Sequence, residues 1–174
     1  MARAYQELTI PFIASGGIAN GDGVAASLAL GAAGANMGTR FLCTAESPIH
    51  QNIKDHIVKS TELDTIHIFR TMKNTARVFK NKVAVEVVEK ERAGCEFKDI
   101  QPLVSGARGK TVYEDGDVDA GIWSAGISVG LIKDVPTCQD LVDTIERDAT
   151  QRIERLSSLV GGQKSAQQAR EARL

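Results

Sequence analysis

Two apolar runs that each stop abruptly at glycine, with one helix-sized segment between them, constrain this chain more than any other feature. The first is Ile10-Pro11-Phe12-Ile13-Ala14-Ser15-Gly16-Gly17-Ile18, and the second is Ala35-Asn36-Met37-Gly38-Thr39-Arg40-Phe41. Residues 10–14 carry no polar side chain, as expected of a parallel strand covered on both faces, and Pro11 near the start costs only one ladder donor. Between the runs, Asp22 is placed to cap a helix and Gly31 to end it in a left-handed conformation. Ala25, Ala26 and Ala29 would let that helix lie close to a sheet. The pattern is strand, turn, helix, strand, turn, linked by a right-handed crossover. In such units a ligand sits beyond the carboxyl ends of the strands, where free N–H groups favour an anion.

Residues 1–8 favour helix and lead into the first strand. Ser47-Pro48 reads as a helix cap and first helical residue, followed by Ile49, Ile53 and Ile57 on one face. Residues 65–70 form a short extended piece. From Asn74 to Glu114 the strand–helix alternation gives way to helical patterns: Val83, Ala84, Val87 and Val88, then Phe97, Ile100, Leu103 and Val104, with a stop at Gly94. A glycine-containing loop then carries the one tryptophan, Trp123. Thr137 and Asp140 resemble a capping box, and Leu141, Ile145, Ala149, Ile153, Leu156 and Val160 line one face of a final helix. Gly161-Gly162 is expected to stop it, leaving residues 163–174 as a frayed tail.

Charge and cysteine usage exclude several classes. Lys+Arg 21 against Asp+Glu 22 gives a net charge of -1, a balance that offers no electrostatic argument for nucleic acid or an anionic membrane and leaves room only for a local basic patch. Cys43, Cys95 and Cys138 are odd in number and lack a CxxC spacing, which fits a reduced, cytoplasmic compartment. No apolar run approaches the ~20 residues that span a bilayer. No metal-ligand spacing, Walker loop or Ser/His/Asp elbow is present.

Among motifs, the pair of glycine turns carries the most chemistry. In (β/α)₈ barrels a phosphate is frequently held by the loops after the last two strands and the start of a short extra helix, which Gly38-Thr39-Arg40-Phe41 is placed to open. Glycine lets the backbone approach the phosphate, and the Thr39 hydroxyl adds a bond. Gly21-Asp22-Gly23-Val24-Ala25-Ala26 formally matches the dinucleotide fingerprint, but it lies too far past the strand and lacks a following acid for the ribose. His50, His56 and His67 share no face and read as structural. Cys43 reads as a small buried residue. Trp123 is equally a core residue or part of a small-residue loop, Trp123-Ser124-Ala125-Gly126, that returns to the mouth of the pocket.

In this order, the two glycine turns, Glu46-Ser47-Pro48-Ile49-His50, Asn74-Thr75-Ala76-Arg77-Val78 and Trp123-Ser124-Ala125-Gly126-Ile127-Ser128-Val129-Gly130-Leu131-Ile132 resemble the C-terminal half of the nitronate monooxygenase (2-nitropropane dioxygenase) family. The FMN-dependent type II enoyl-acyl-carrier-protein reductases are related to that family. The resemblance covers residues 8–160. It implies an α/β fold: the last two strand–helix units of a (β/α)₈ barrel at residues 1–46, a mainly helical substrate-covering domain at 47–120, and a return loop and packing helix at 121–162. It further implies noncovalent FMN, with Gly16, Gly17, Ile18, Gly38 and Thr39 at its phosphate and Ser124, Ala125 and Gly126 approaching the flavin from the cover. Many members have glutamine where Ile127 stands, which leaves the substrate open.

The family's catalytic histidine lies in a glycine-rich loop upstream of the first strand seen here, with no counterpart in this chain. No catalytic or metal-ligating residue is therefore assigned. A barrel of this type needs ~250 residues, so the chain is expected to be a C-terminal portion, with weak or no FMN retention and no turnover alone. The implied reaction is oxidation of an alkyl nitronate with dioxygen. The alternatives are reduction of an enoyl thioester with a nicotinamide cofactor and FMN, and a non-catalytic chain, either truncated and without function or the partner of a separately encoded N-terminal half. The expected protein partners are that missing half or further copies of the chain in a homo-oligomer.

Overall fold

The computed structural model describes residues 1–171, with side chains through residue 160. The expected frayed tail therefore lies outside the described residues from 172 on, and outside the described side chains throughout. The chain divides into two compact units. The first comprises residues 1–14, residues 20–35 and the last helix from Asp140 on, and the second comprises residues 15–19 and 36–139.

In the first unit, α1 (Ala2–Glu7) leads to β1 (Ile13–Ser15), α2 (Gly21–Ala29) and β2 (Gly34–Asn36), and β1 and β2 are neighbours in one sheet. The strands are shorter than the apolar runs. Contrary to the two-sided cover expected of the first run, Ile10 and Ile13 are 69% and 65% exposed. Asn20, not Asp22, caps α2: its extended backbone turns the side chain back to accept the Gly23 N–H at 3.0 Å. Such a cap contributes about 0.5–2 kcal/mol. Asp22 is already helical, and its carboxylate instead pairs with Arg152 at 2.7 Å. Gly31 ends the helix with φ +91°, as expected, and the Tyr5 ring occupies the space a Cβ there would need.

The last helix, α8 (Cys138–Glu171), runs through Gly161 and Gly162, which therefore do not stop it. Each interior glycine costs about 1 kcal/mol relative to alanine, a penalty that the good helix formers on either side offset. Close packing against α2 is set by Gly21, where an added Cβ would lie 2.5 Å from the Ala149 nitrogen and 2.6 Å from the Ile145 carbonyl oxygen.

The helices of the second unit start with α3 (Thr39–Leu42) and α4 (Gln51–Lys59). Ser47-Pro48 does not open α4. The buried Lys54 ammonium donates to the Ala45 and Ser47 carbonyls at 3.2 and 2.8 Å, holding that stretch as a loop. His50 is the cap, its Nδ1 accepting the Asn52 N–H. β3 (Thr65–Ile68) then pairs antiparallel with β4 (Ala76–Phe79), Thr65 opposite Phe79 and Ile68 opposite Ala76. β4 lies where helical patterning was expected to begin. Its signal was the period-2 alternation of Thr75, Arg77 and Phe79 with Ala76 and Val78.

Beyond the hairpin come α5 (Lys82–Arg92), α6 (Phe97–Ile100) and α7 (Gly106–Asp115), then a 3₁₀ helix, Ile127–Leu131. Gly94 follows α5 with φ +84°, as a helix stop should. Buried Asn81 accepts the Ala84 N–H and donates to the Val118 and Gly121 carbonyls, so one amide both caps α5 and ties down the loop after α7. Two apolar clusters result. One gathers Cys43, Ile53, Ile57, Val112, Trp123, Val129 and Ile132, and the other Ile68, Val78, Ala84, Val87 and Ile100. The hairpin serves both: Phe79 stacks on Trp123 with ring centroids 4.3 Å apart, while Val78 and Ile68 enter the second cluster.

Candidate cofactor-binding site

The first glycine turn is built to expose its backbone. Gly16 and Gly17 have φ +90° and +76°, with nothing within 4 Å of the position of an added Cβ. Side chains are strained at such angles, so glycine is required for conformation rather than for space. Ile18 and Ala19, immediately after, are buried and anchor the turn. Ser15 Oγ accepts a hydrogen bond of 3.1 Å from Asn36 Nδ2, tying the start of this turn to the residue just before the second one.

Gly38 is likewise exposed and open at its Cβ position, and it precedes α3. Thr39 Oγ1 accepts the Gly126 N–H at 2.9 Å. A hydroxyl that accepts one bond keeps its own hydrogen to donate, so Thr39 remains competent toward an anion. Among the described residues, the N–H groups of Gly16, Gly17 and Thr39 have no protein acceptor.

Behind this turn, the Arg40 guanidinium is buried. It pairs with Asp134 at 2.8 Å and donates to the Cys43 and Asp134 carbonyls, and only its Nε lacks a partner. Arg40 thus fixes the turn from inside and presents no charge to its surface. Cys43 is fully buried, and burial pushes its thiol up from the ordinary range. That places it with inert core cysteines.

The return loop reaches the same place. Val78 of β4 forms an antiparallel bridge with Ser124, and the Phe79 N–H donates to the Trp123 carbonyl at 3.0 Å. Trp123 itself is core. Ser124 is exposed, Ala125 is buried, so that it offers main chain only, and Gly126 closes on Thr39. The structure therefore joins the second glycine turn to the Ser124-Ala125-Gly126 loop directly, and joins the first turn to the second through Ser15 and Asn36.

Sequence reasoning missed two residues here. Ser124 borders a cavity of about 450 Å³ that Tyr113 and Lys110 of α7 also line. Burial pushes the Tyr113 phenol above its usual range, while the Ser124 backbone pulls it the other way. The spacing of Lys110 and Tyr113 on one helical face was the available signal. The histidines lie elsewhere. His50 caps α4, His56 Nδ1 lies 2.8 Å from the Asn52 carbonyl, and His67 sits opposite Arg77 in the hairpin. Among the described residues no group of three or more His, Cys, Asp or Glu is placed to hold a metal, and no helix is long and apolar enough to cross a membrane.

Comparison with known proteins gives this arrangement a family. A Rhodococcus jostii protein named (3aS,4S,5R,7aS)-5-hydroxy-7a-methyl-1-oxo-octahydro-1H-indene-4-carboxyl-CoA dehydrogenase is 30% identical over 186 residues, covering 86% of this chain and 53% of its own length. A probable nitronate monooxygenase of Staphylococcus aureus is 39% identical over 118 residues, covering 67% of this chain and 33% of its own. Among solved structures, FabK from Thermotoga maritima superposes with a TM-score of 0.85 at 30% identity, over 91% of this chain and 50% of that one. A nitroalkane oxidase from Streptomyces ansochromogenes superposes with a TM-score of 0.72 at 27% identity, over 90% and 44%. The chain spans about half the length of the Rhodococcus relative and of FabK. A profile of nitronate monooxygenase matches residues 1–148, and the chain belongs to that family.

Proposed function

We propose that this chain supplies the phosphate cradle and flavin-facing loop of an FMN-dependent oxidoreductase of the nitronate monooxygenase type. The observation that carries the reading is the 2.9 Å bond from Gly126 N–H to Thr39 Oγ1, which unites two motifs far apart in sequence. The donor set fits the group: left-handed glycines at 16 and 17, open space at Gly38 and a hydroxyl hydrogen on Thr39 suit a phosphate monoester. FMN, when bound, would supply the redox chemistry. The residues of this chain bind and orient: Gly16, Gly17 and Ile18 through main chain, Gly38 and Thr39 at the phosphate, and Ser124, Ala125 and Gly126 from the cover side.

In this reading residues 1–46 are the last strand–helix units of a (β/α)₈ barrel, residues 47–120 the substrate cover, and residues 121–162 the return loop and packing helix. No residue of this chain is assigned the proton transfer that a histidine performs in the resembled family, and the setting is cytoplasmic. Alkyl nitronate and dioxygen are the proposed substrates.

A second reading, an oxidoreductase acting on an acyl thioester with a nicotinamide cofactor, is favoured by the CoA-thioester name of the Rhodococcus relative. Ile127 beside the loop is exposed and apolar where many family members have glutamine, which leaves room for this substrate class. The test is FMN titration of the purified chain followed by flavin fluorescence. Weak binding that Thr39→Val reduces further supports the cradle, and binding that ignores Thr39→Val removes it. In a polypeptide extended by the upstream half of a relative, nitronate-dependent oxygen uptake supports the first substrate class. NAD(P)H oxidation dependent on an enoyl thioester supports the second.

A further inference from the structure

The basic lining of a second cavity is unexplained by the flavin site. It encloses about 410 Å³ beside β3, the β3–β4 connection and the end of α5. That falls within the roughly 300–1,000 Å³ usual for small-molecule sites. Three arginines converge on it, Arg70 from the connection, Arg77 from β4 and Arg92 from α5. Among the described residues none of the three forms an ion pair, although the chain as a whole has a net charge of -1.

The one carboxylate in the lining, Glu91, is already committed. It is buried, and its oxygens accept from the Phe69 N–H at 2.9 Å, the Thr71 N–H at 3.3 Å and the Thr71 hydroxyl at 2.9 Å. Three guanidiniums against this one carboxylate leave two positive charges in excess, counting His67 as neutral. Glu91 does more than offset charge. It holds the connection in a fixed form in which Phe69 and Lys73 take φ values of 60° and 54°. Side-chain residues rarely adopt that region and persist there where the surroundings over-determine them. The strained turn presents Arg70 at the cavity. Arg77 is held by a 2.8 Å bond from Nη1 to Thr65 Oγ1, which leaves its other N–H groups free. Ile66 and Val88 supply an apolar wall.

We propose that this cavity binds the phosphorylated end of a nucleotide, its diphosphate or phosphomonoester groups taken by Arg70, Arg77 and Arg92. Guanidinium forks match phosphate oxygens in pairs, and the apolar wall suits the organic part adjoining them. Glu91 is a positioning residue that shapes the turn. The proposal makes no use of FMN, so it stands or falls separately from the flavin reading.

The test is calorimetric titration of the full chain without flavin, in separate arms with coenzyme A, NADPH and inorganic pyrophosphate, at low and at moderate salt. Saturable binding that weakens with salt and falls about tenfold or more in Arg70→Gln and in Arg92→Gln supports the site. The arm that binds most tightly identifies the source of the phosphate. Both side chains are exposed at the surface, so unchanged thermal melting is expected in the variants. Absence of binding in all three arms overturns the proposal, and so does binding that both arginine variants leave unchanged.

Discussion

The two units bury their apolar residues very differently. In the second, Ile53, Ile57, Ile68, Ile100, Val112, Val129 and Ile132 are all fully buried. In the first, most of the buried apolar residues are small, Ala14, Ala25, Ala32 and Ala149 with Leu141, while Ile10, Ile13, Leu156, Leu159 and Val160 lie exposed. The second unit closes its core from its own sequence. Both units leave some large side chains in water, Leu63 and Leu131 in the second among them, but the first does so with close backbone contacts and no core of large side chains, as surfaces that receive another layer do. Local backbone geometry can thus be complete where burial is not. The candidate site residues belong to the unit with the core of large side chains.

Trp123→Ala strikes the better-packed unit hardest. It removes the largest buried side chain and its stack on Phe79, and a loss of about 3–5 kcal/mol is expected. Denaturant titration followed by circular dichroism reads it, and a midpoint equal to wild type would break the contrast. Gly21→Ala probes the other unit, forcing a Cβ against the Ile145 and Ala149 backbone. Overpacking of this kind costs about 1–3 kcal/mol, seen as a lower melting temperature, and an unchanged one would show that α2 and α8 are free to separate.

Replacing Leu156 and Leu159 together with serine should change stability by no more than about 0.5 kcal/mol per site, as for exposed positions, while reducing self-association in sedimentation. A loss typical of core positions would contradict their exposure. The smallest effects belong to the ion pairs. Arg152 beside Asp22 and Lys82 beside Asp119 hold both carboxyls below the ordinary carboxylate range. Because the folded values are the lower ones, each pair contributes above the ordinary carboxylate pKa of about 3.9. That contribution disappears as pH falls through the lowered value. Solvent screens both pairs, so Asp119→Asn should flatten the acid limb of the stability profile only slightly.

Much of this was legible in the sequence. The glycine turn at 16 and 17, the helix stops at Gly31 and Gly94, and the helix faces through Ile53, Ile57, Val83 and Val87 rest on local pattern, whereas the grouping of the Gly38-Thr39 turn with Ser124-Ala125-Gly126 came from the family resemblance. What was hidden depends on partners distant in sequence. Asp22 and Ser47 have good capping chemistry, yet Arg152 claims the first and Lys54 holds the loop of the second. β4 carried only a short period-2 alternation, and its pairing with β3 and its bridge to Ser124 are what fix it as a strand. The arginine cavity was invisible because its three charges come from different elements and the carboxylate that shapes it lies on a helix.

The stack of Trp123 on Phe79 also has an optical consequence. This is the protein's sole tryptophan, and it immediately precedes Ser124 in the loop that meets the second glycine turn. Its emission reports on one known place without any label. A yellow cofactor settling beside that loop would accept its excitation energy, so ultraviolet light alone distinguishes a loaded cradle from an empty one.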